Sequence, residues 1–170
     1  MLNALRKSGE RKKAAERLCA GIIARARAGE FFAIFHVPDT IDGRFDMVTL
    51  HAWLVLSRLR ELNARDLSQG IMDSLFIGFD EALRDLGVGD MGLGPRMKKM
   101  ANAFYGRLQA YGDAATESEL ADAILRNVYR GDAARESDAR VLAGYVNAAR
   151  AQLAQSDLAT LDFGAMPVVP

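Results

Sequence analysis

The sequence is poor in three features, each of which would have pointed to a class of protein. Its single cysteine, Cys19, cannot form an internal disulfide, so the chain does not require an oxidising compartment. No stretch approaches the roughly 18 uninterrupted apolar residues of a membrane-spanning helix, and the first residues, MLNALRKSGERKKAAERL, lack the apolar core of a secretory signal. Net charge is absent too, because 22 basic side chains balance 22 acidic ones, which argues against a DNA-binding protein. We therefore expect a mature, cytoplasmic globular protein.

Residues that hold metals or act as nucleophiles are also sparse. The two histidines, His36 and His51, have no cysteine partners at zinc spacing, and no Gly-x-Ser-x-Gly, Cys–His or Ser–His arrangement marks a nucleophile. Residues 87–92, GVGDMG, satisfy G-x-G-x-x-G literally, but a helical pattern precedes them, whereas the dinucleotide fingerprint follows a strand. The sequence therefore predicts no metal, no cofactor and no enzyme activity.

Helical periodicity, in contrast, runs through most of the chain. Apolar residues recur three and four positions apart, which is the spacing of a helix with one buried face. A chain of 170 residues is by default one domain with a sizeable core. We predict an all-α, single-domain bundle of about six helices, at 11–28, 46–63, 66–86, 95–111, 117–130 and 137–155.

Residues that begin and end helices agree with this pattern. Pro95 suits the first turn of a helix, where its missing N–H costs nothing. Thr116 and Glu119 match a capping box. Three glycines each follow a periodic run, as helix-ending glycines do: Gly87, Gly112 and Gly131.

One predicted helix differs from the others. The stretch MVTLHAWLVL at 47–56 is apolar on nearly every face, with only Thr49 and His51 polar. Such a helix is normally central in its bundle, although it can also leave one apolar face for a partner. We predict that it is the central helix and that Asp46 caps its start.

The segment VPDTIDGRFD at 37–46 concentrates charge just before this helix. Its carboxylates, at Asp39, Asp42 and Asp46, lack the spacing of a calcium loop, and Arg44 places a positive charge where a cation would bind. Nothing in the sequence indicates the difference in burial that a pair of acid/base carboxylates needs. The Pro-Asp and Asp-Gly dipeptides favour a loop leading into the helix, although the preceding FFAIFHV can also be read as a hairpin strand.

A second charged feature lies at the start of the helix predicted at 95–111. Arg96, Lys98 and Lys99 fall in its first turns, where cations oppose the helix macrodipole. Together with Arg107 they form a candidate basic patch for phosphate, RNA or an acidic protein surface. The alternative is an ordinary solvated helix surface.

Two longer blocks carry a family resemblance. VPDTIDGRFDMVTLHAWLVLSRL, followed by MDSLFIGFDEALRDLGVGDMGLGPRMKKMANAFYGRLQAY, closely resembles the ubiquinol–cytochrome c chaperone family. Members typically show a V-P-D-T-x-D-G-R-F-D block, a central L-H helix, and a later L-R-E-x-G-V-G-D block with a basic helix behind it. The resemblance runs from about residue 17 to residue 150, and its blocks occur in the family's order.

The resemblance implies an all-helical assembly factor for respiratory complex III, with newly made cytochrome b or another complex III subunit as its client. It also implies association with a small partner protein and with the ribosome near the tunnel exit. The compact chain looks like a bacterial member that works in the cytoplasm at the inner face of the membrane, or in the mitochondrial matrix in the case of a eukaryotic member. Membrane contact would then be indirect, through the client.

The resemblance suggests a use for the charged segment. We hypothesise that its charges form a polar rim around an apolar floor that holds a hydrophobic membrane-protein segment. The predicted partner-binding residues are Asp39, Asp42, Arg44, Phe45, Asp46, Met47 and His51. A ribosome- or RNA-associated binding module, acting through Arg96, Lys98, Lys99 and Arg107, is the alternative function.

The resemblance and the composition of the two ends together divide the chain into three parts. We expect a basic N-terminal lead-in at 1–16, a chaperone-like helical domain at 17–156 and an extended C-terminal tail at 157–170. The tail contains LDFGAMPVVP, which has two prolines and no helical period.

Overall fold

The chain folds as a bundle of α-helices in a computed structural model, which describes residues 2–161 and the side chains from residue 9 onward. Six helices have eleven residues or more: α1 (Leu2–Ala26), α3 (Ile41–Glu61), α4 (Arg65–Asp85), α5 (Asp90–Asp113), α6 (Glu117–Asn127) and α7 (Glu136–Ala154). A short helix, α2 (Gly29–Ala33), and a 3₁₀ turn at Ala133–Arg135 complete the order. No strand occurs within residues 2–161, so the predicted all-α bundle is confirmed and the hairpin interpretation of FFAIFHV is wrong.

Helix α3 is the centre of the bundle, as its apolar composition predicts. It packs against α1, α4, α5 and α7, and every residue from Asp46 to Val55 is buried. Full burial of one large apolar side chain contributes about 1.5–3 kcal/mol, so this run contributes much of the stability of the core. None of the helices within residues 2–161 combines the length and the apolar composition needed to cross a membrane.

The start of α3 lies five residues before the predicted one. Thr40, and not Asp46, caps the helix, and its Oγ1 accepts a hydrogen bond of 3.1 Å from the Gly43 N–H. Gly43 therefore belongs to the first turn of the helix, where a Cβ would lie 1.9 Å from the carbonyl oxygen of Pro38. This close approach, and not a tight turn, is why the position requires glycine.

The other predicted helix ends give a mixed result. Thr116 and Glu119 form the predicted capping box. Gly87 and Gly131 follow α4 and α6 with φ of +81° and +76°, the left-handed conformation of glycines that end helices.

Two predicted helix ends in α5 are wrong. Pro95 lies inside α5, not in its first turn, because α5 begins at Asp90. Gly112 lies within α5 as well, one residue before its end.

The ends of the chain bear on the predicted three-part division. α1 begins at Leu2, so most of the expected lead-in at 1–16 is helical. Residues 158–160 form a turn and Leu161 is buried, while the rest of the expected tail lies outside the described residues. The domain boundaries themselves stay a prediction.

Candidate functional site

The charged segment 37–46 covers the end of the connection between α2 and α3 and the start of α3 itself, and its exposed aspartates pair with arginines. Arg44 Nε donates a hydrogen bond of 2.7 Å to Asp39 Oδ1, and both side chains are exposed. This bond to Arg44 holds the pKa of Asp39 below its usual value. Asp42 is more exposed, and its Oδ2 lies 3.9 Å from an Nη of Arg130.

Asp46 is the buried member of the segment, with no exposed surface. Arg107 Nε, on α5, donates a hydrogen bond of 2.7 Å to its Oδ1, and Arg130 Nη1 lies 2.8 Å from its Oδ2. Burial raises the pKa of Asp46 to about 6, although the two guanidinium groups act in the opposite direction. We call Asp46, Arg107 and Arg130 the Asp46 cluster. It links α3 to α5 and to the turn after α6.

The backbone at Arg130 supports a structural role for this cluster. Arg130 has a φ of +58°, a left-handed conformation that costs a residue with a side chain roughly 1–2 kcal/mol. In this conformation the Arg130 guanidinium group lies against the carboxylates of Asp46 and Asp42. Removing one partner of a buried ion pair leaves an uncompensated charge and is strongly destabilising, so the cluster is part of the packed core.

His51 belongs to a second buried polar network. Its Nδ1 lies 2.8 Å from the carbonyl oxygen of Met47, and its Nε2 lies 2.9 Å from the hydroxyl of Tyr145. Arg25 Nε donates a hydrogen bond of 3.1 Å to the same hydroxyl. Burial lowers the pKa of His51 to about 4, so at neutral pH it is an uncharged core residue that donates from Nδ1 and accepts at Nε2.

The structure therefore corrects part of the predicted binding set. Asp46, Met47 and His51 have no exposed surface, so a partner cannot touch them in this conformation. Phe45 is half-buried, packs against Phe79 at a centroid distance of 5.4 Å, and has the Arg107 guanidinium over its ring. Of the predicted apolar floor, Met47 is thus part of the core, and Phe45 is partly buried against that core.

A different set of residues is accessible at the same end of α3. Asp39, Asp42 and Arg44 remain on the surface, and two large apolar side chains lie beside them in sequence: Ile34 is 55% exposed and Ile41 is 62% exposed. We call these five residues the rim surface. An open cleft of about 490 Å³ adjoins it, lined by Arg27, Gly29, Phe32, Ala33, Asp39 and Arg44. Polar groups around apolar side chains are the usual composition of a protein interface.

The predicted basic patch keeps three of its four residues. Arg96, Lys98 and Lys99 are exposed, and none of them forms an ion pair in the described part of the chain. Arg107 is only 16% exposed and belongs to the Asp46 cluster. Because α5 begins at Asp90, the three cations lie beyond its first turn, and the prediction that they oppose the macrodipole at the start of the helix is wrong.

Metal binding has no support in the structure's described portion. No group of three or more histidine, cysteine, aspartate or glutamate side chains there is arranged to hold an ion. Among the aspartates of segment 37–46, Asp39 lies against Arg44, whereas Asp42 and Asp46 both lie against the guanidinium group of Arg130.

Sequence reasoning missed three contributors to this region. Arg130 and Tyr145 lie far along the chain from α3 and carry no short-range signal of their contacts with it. Ile41 carries a signal, since a large apolar residue between Thr40 and Asp42 has polar neighbours on both sides, but the Pro-Asp and Asp-Gly dipeptides around it indicate a loop.

Comparisons with known proteins agree on one family. The family model described as ubiquinol-cytochrome C chaperone matches residues 33–166. The crystal structure of the Cbp3 homologue from Brucella abortus superposes with a TM-score of 0.83 at 37% identity, covering 99% of both chains.

Two curated relatives are more distant. Ubiquinol-cytochrome-c reductase complex assembly factor 1 of Xenopus laevis is 26% identical over 121 residues, 69% of this chain, and its Mus musculus counterpart is 24% identical over 139 residues, 79% of this chain. The matches span 60% and 47% of the lengths of these two relatives.

Proposed function

Since the chain belongs to the ubiquinol–cytochrome c chaperone family, we propose that it is a non-enzymatic assembly factor for respiratory complex III. The names of the Xenopus and mouse relatives support this role. Asp46 is fully buried, and of the other two aspartates only Asp39 lines the adjoining cleft, which supports a non-enzymatic role because a general acid/base pair needs carboxylates that share a substrate cleft.

The client in this proposal is newly made cytochrome b, held at the rim surface. The observation that carries it is the exposure of Ile34 and Ile41, which are close in sequence to an aspartate–arginine pair whose charges neutralise one another. An apolar client segment can cover the isoleucines without burying an unpaired charge, which is the costly event at an interface. The protein then works at the inner face of the membrane, with its client providing the membrane contact and a small partner protein assisting.

The proposed role is tested by deleting the gene. We expect lower cytochrome b and complex III activity, with the other respiratory enzymes unchanged and the defect restored by the wild-type gene. A normal cytochrome b haem spectrum in the deletion strain would contradict the role.

The rim surface is tested separately by crosslinking to nascent cytochrome b. Ile41→Asp should reduce capture, and so should the charge changes Arg44→Glu and Asp42→Lys. Ile77→Asp is the matched control, because Ile77 is 61% exposed and lies on α4 beside α1. Undiminished capture by all three folded rim variants would remove this surface from the proposal.

A second candidate function rests on Arg96, Lys98 and Lys99, three exposed cations that have no ion-pair partner in the described portion. Such cations can contact the phosphates of ribosomal RNA, which favours the ribosome as a further partner. Each phosphate contact releases counterions, so this binding should depend on salt. Co-sedimentation with ribosomes should weaken steeply with salt and in a Lys98→Glu, Lys99→Glu variant. Salt-insensitive co-sedimentation, or none, would exclude it.

A further inference from the structure

A groove at the opposite end of α3 has a composition unlike that of the rim surface. It runs between the second half of α3, the start of α4 and the end of α5, and has a volume of about 440 Å³. Its apolar lining comes from Trp53 and from three half-buried side chains, Leu56, Met72 and Leu108. We call it the Trp53 groove.

Two arginines give this groove a positive edge. Arg60 and Arg65 line it and are exposed, and no aspartate or glutamate lines it. The carboxylates nearest in sequence are engaged elsewhere, Glu61 with Arg58 at 2.9 Å and Asp66 with Arg11 at 2.6 Å. Neither groove arginine has an ion-pair partner among the residues whose side chains are described.

The position of Arg65 is not explained by the fold. It is the first residue of α4, where a positive charge opposes the helix macrodipole. An anionic group bound at the groove would reverse this unfavourable interaction, because it would face both the guanidinium and the N-terminal end of the helix.

The shape of the groove favours a protein segment over other anions. Its apolar side chains are recessed between three helices, whereas a lipid surface contacts side chains that protrude. Nucleic acid would find two cations but no exposed aromatic platform, because Trp53 is only 6% exposed. Tryptophan and arginine are, however, the residue types that dominate protein–protein binding energy.

We propose that the Trp53 groove binds an amphipathic helix of a partner protein, with a large apolar side chain between Trp53, Leu56 and Leu108 and carboxylates against Arg60 and Arg65. The proposal goes beyond the assembly role, because it assigns a second surface and requires no particular client. A negative result in the cytochrome b experiments therefore does not contradict helix binding at the Trp53 groove, and a negative result at the groove does not contradict the assembly role.

The test uses two labelled, stapled helical peptides as probes. Each presents two leucines on one face, and the leucines are flanked by glutamates in the first peptide and by glutamines in the second. We expect the full-length protein to bind the glutamate peptide at least about tenfold more tightly than the glutamine peptide, measured by fluorescence anisotropy.

Three variants locate the site. The double variant Arg60→Glu, Arg65→Glu should bind the glutamate peptide at least about tenfold more weakly than the wild-type protein does. It should bind a peptide with lysines in place of the glutamates more tightly. Gly112→Leu should block both probes, because Gly112 lines the groove and a leucine there would occupy it. The substitution fits α5, since a Cβ at Gly112 would lie near only one atom, Trp53 Nε1, at 3.8 Å. Lys13→Glu with Arg126→Glu, at two exposed residues that do not line the groove, changes the net charge by the same amount and should leave binding unchanged.

Several results would overturn the proposal. These are no binding of the glutamate peptide, equal binding of both peptides, or equal losses in the groove and control variants. Binding that is seen only with vesicles of phosphatidylglycerol would assign the arginines to a lipid surface. Dimers in sedimentation that Gly112→Leu dissociates would assign the groove to a second copy of the chain.

Discussion

At the amino-terminal end of α3, three aspartates face three arginines, whereas at its carboxyl-terminal end two arginines have no acidic partner among the residues whose side chains are described. Asp39 pairs with Arg44, and Asp46 holds Arg107 and Arg130. The other end presents Arg60 and Arg65 over an apolar groove. The comparison teaches that the charges of a dense cluster in a sequence can all form ion pairs within the fold. The charges available to a partner are then the few that have no ion-pair partner.

The largest effect is expected from the buried carboxylate. Asp46→Ala leaves Arg107 and Arg130 without their common partner, so the free energy of unfolding should fall by about 3–5 kcal/mol in urea titrations. Asp122→Ala, at an exposed aspartate on α6, is the control and should stay within about 0.5 kcal/mol. Equal losses in the two variants would show that the Asp46 cluster does not stabilise the fold.

The pH dependence of stability separates the two buried networks. The pKa of Asp46 is about 6 in the folded state against an ordinary 3.8, so the folded state takes up this proton first. Protonation of Asp46 therefore raises the free energy of unfolding as pH falls from about 6 to about 4. His51 has a pKa of about 4 against an ordinary 6.5, so the unfolded state takes up that proton first and stability falls over nearly the same window.

The two contributions have opposite signs, so they oppose one another in the wild-type protein. Asp46→Asn should then lose stability as pH falls from about 6.5 to about 4, and His51→Gln should gain it. Urea unfolding across this pH range measures both slopes. Two variants with parallel slopes would contradict the assignment.

A smaller effect is expected at the helix cap. Thr40→Ala removes the acceptor for the Gly43 N–H and should lower the free energy of unfolding by about 1 kcal/mol. Thr40→Ser keeps the hydroxyl and should restore most of the loss. A negligible effect of Thr40→Ala would place the start of α3 elsewhere.

The smallest effects are expected at the carboxyl-terminal end of α3. Arg65→Glu replaces a cation with an anion at the start of α4 and should raise the free energy of unfolding by about 0.3–1 kcal/mol. Arg60→Glu, in the last turn of α3, should lower it by a similar amount. A large loss in Arg65→Glu would mean that Arg65 has a structural partner.

Helix content and the central position of α3 were predictable because they follow from local apolar spacing. The start of α3 was misplaced because Asp42-Gly43 has the composition of a turn, while the contact that requires Gly43 is with the Pro38 carbonyl. Pro95 was misplaced for a similar reason, since a first-turn proline and one inside a helix look alike in a sequence.

The candidate site was less predictable than the fold. Asp46 and Arg107 are 61 residues apart, and no local pattern shows that they meet. The Trp53 groove was not predicted either. Its positive charge arises because Glu61 pairs with Arg58 and Asp66 pairs with Arg11, and not with the groove arginines. The family resemblance, in contrast, depends on blocks of consecutive residues, and the comparisons confirm it.

The contrast between the two ends of α3 is tested most directly by replacing one arginine at each end with methionine and measuring urea unfolding side by side. Arg107→Met should lose about 3–5 kcal/mol, because it leaves Asp46 buried beside only one guanidinium group. Arg60→Met should stay within about 0.5 kcal/mol of the wild-type protein. Equal stabilities for the two variants would contradict the division between charges that hold the fold and charges left for a partner.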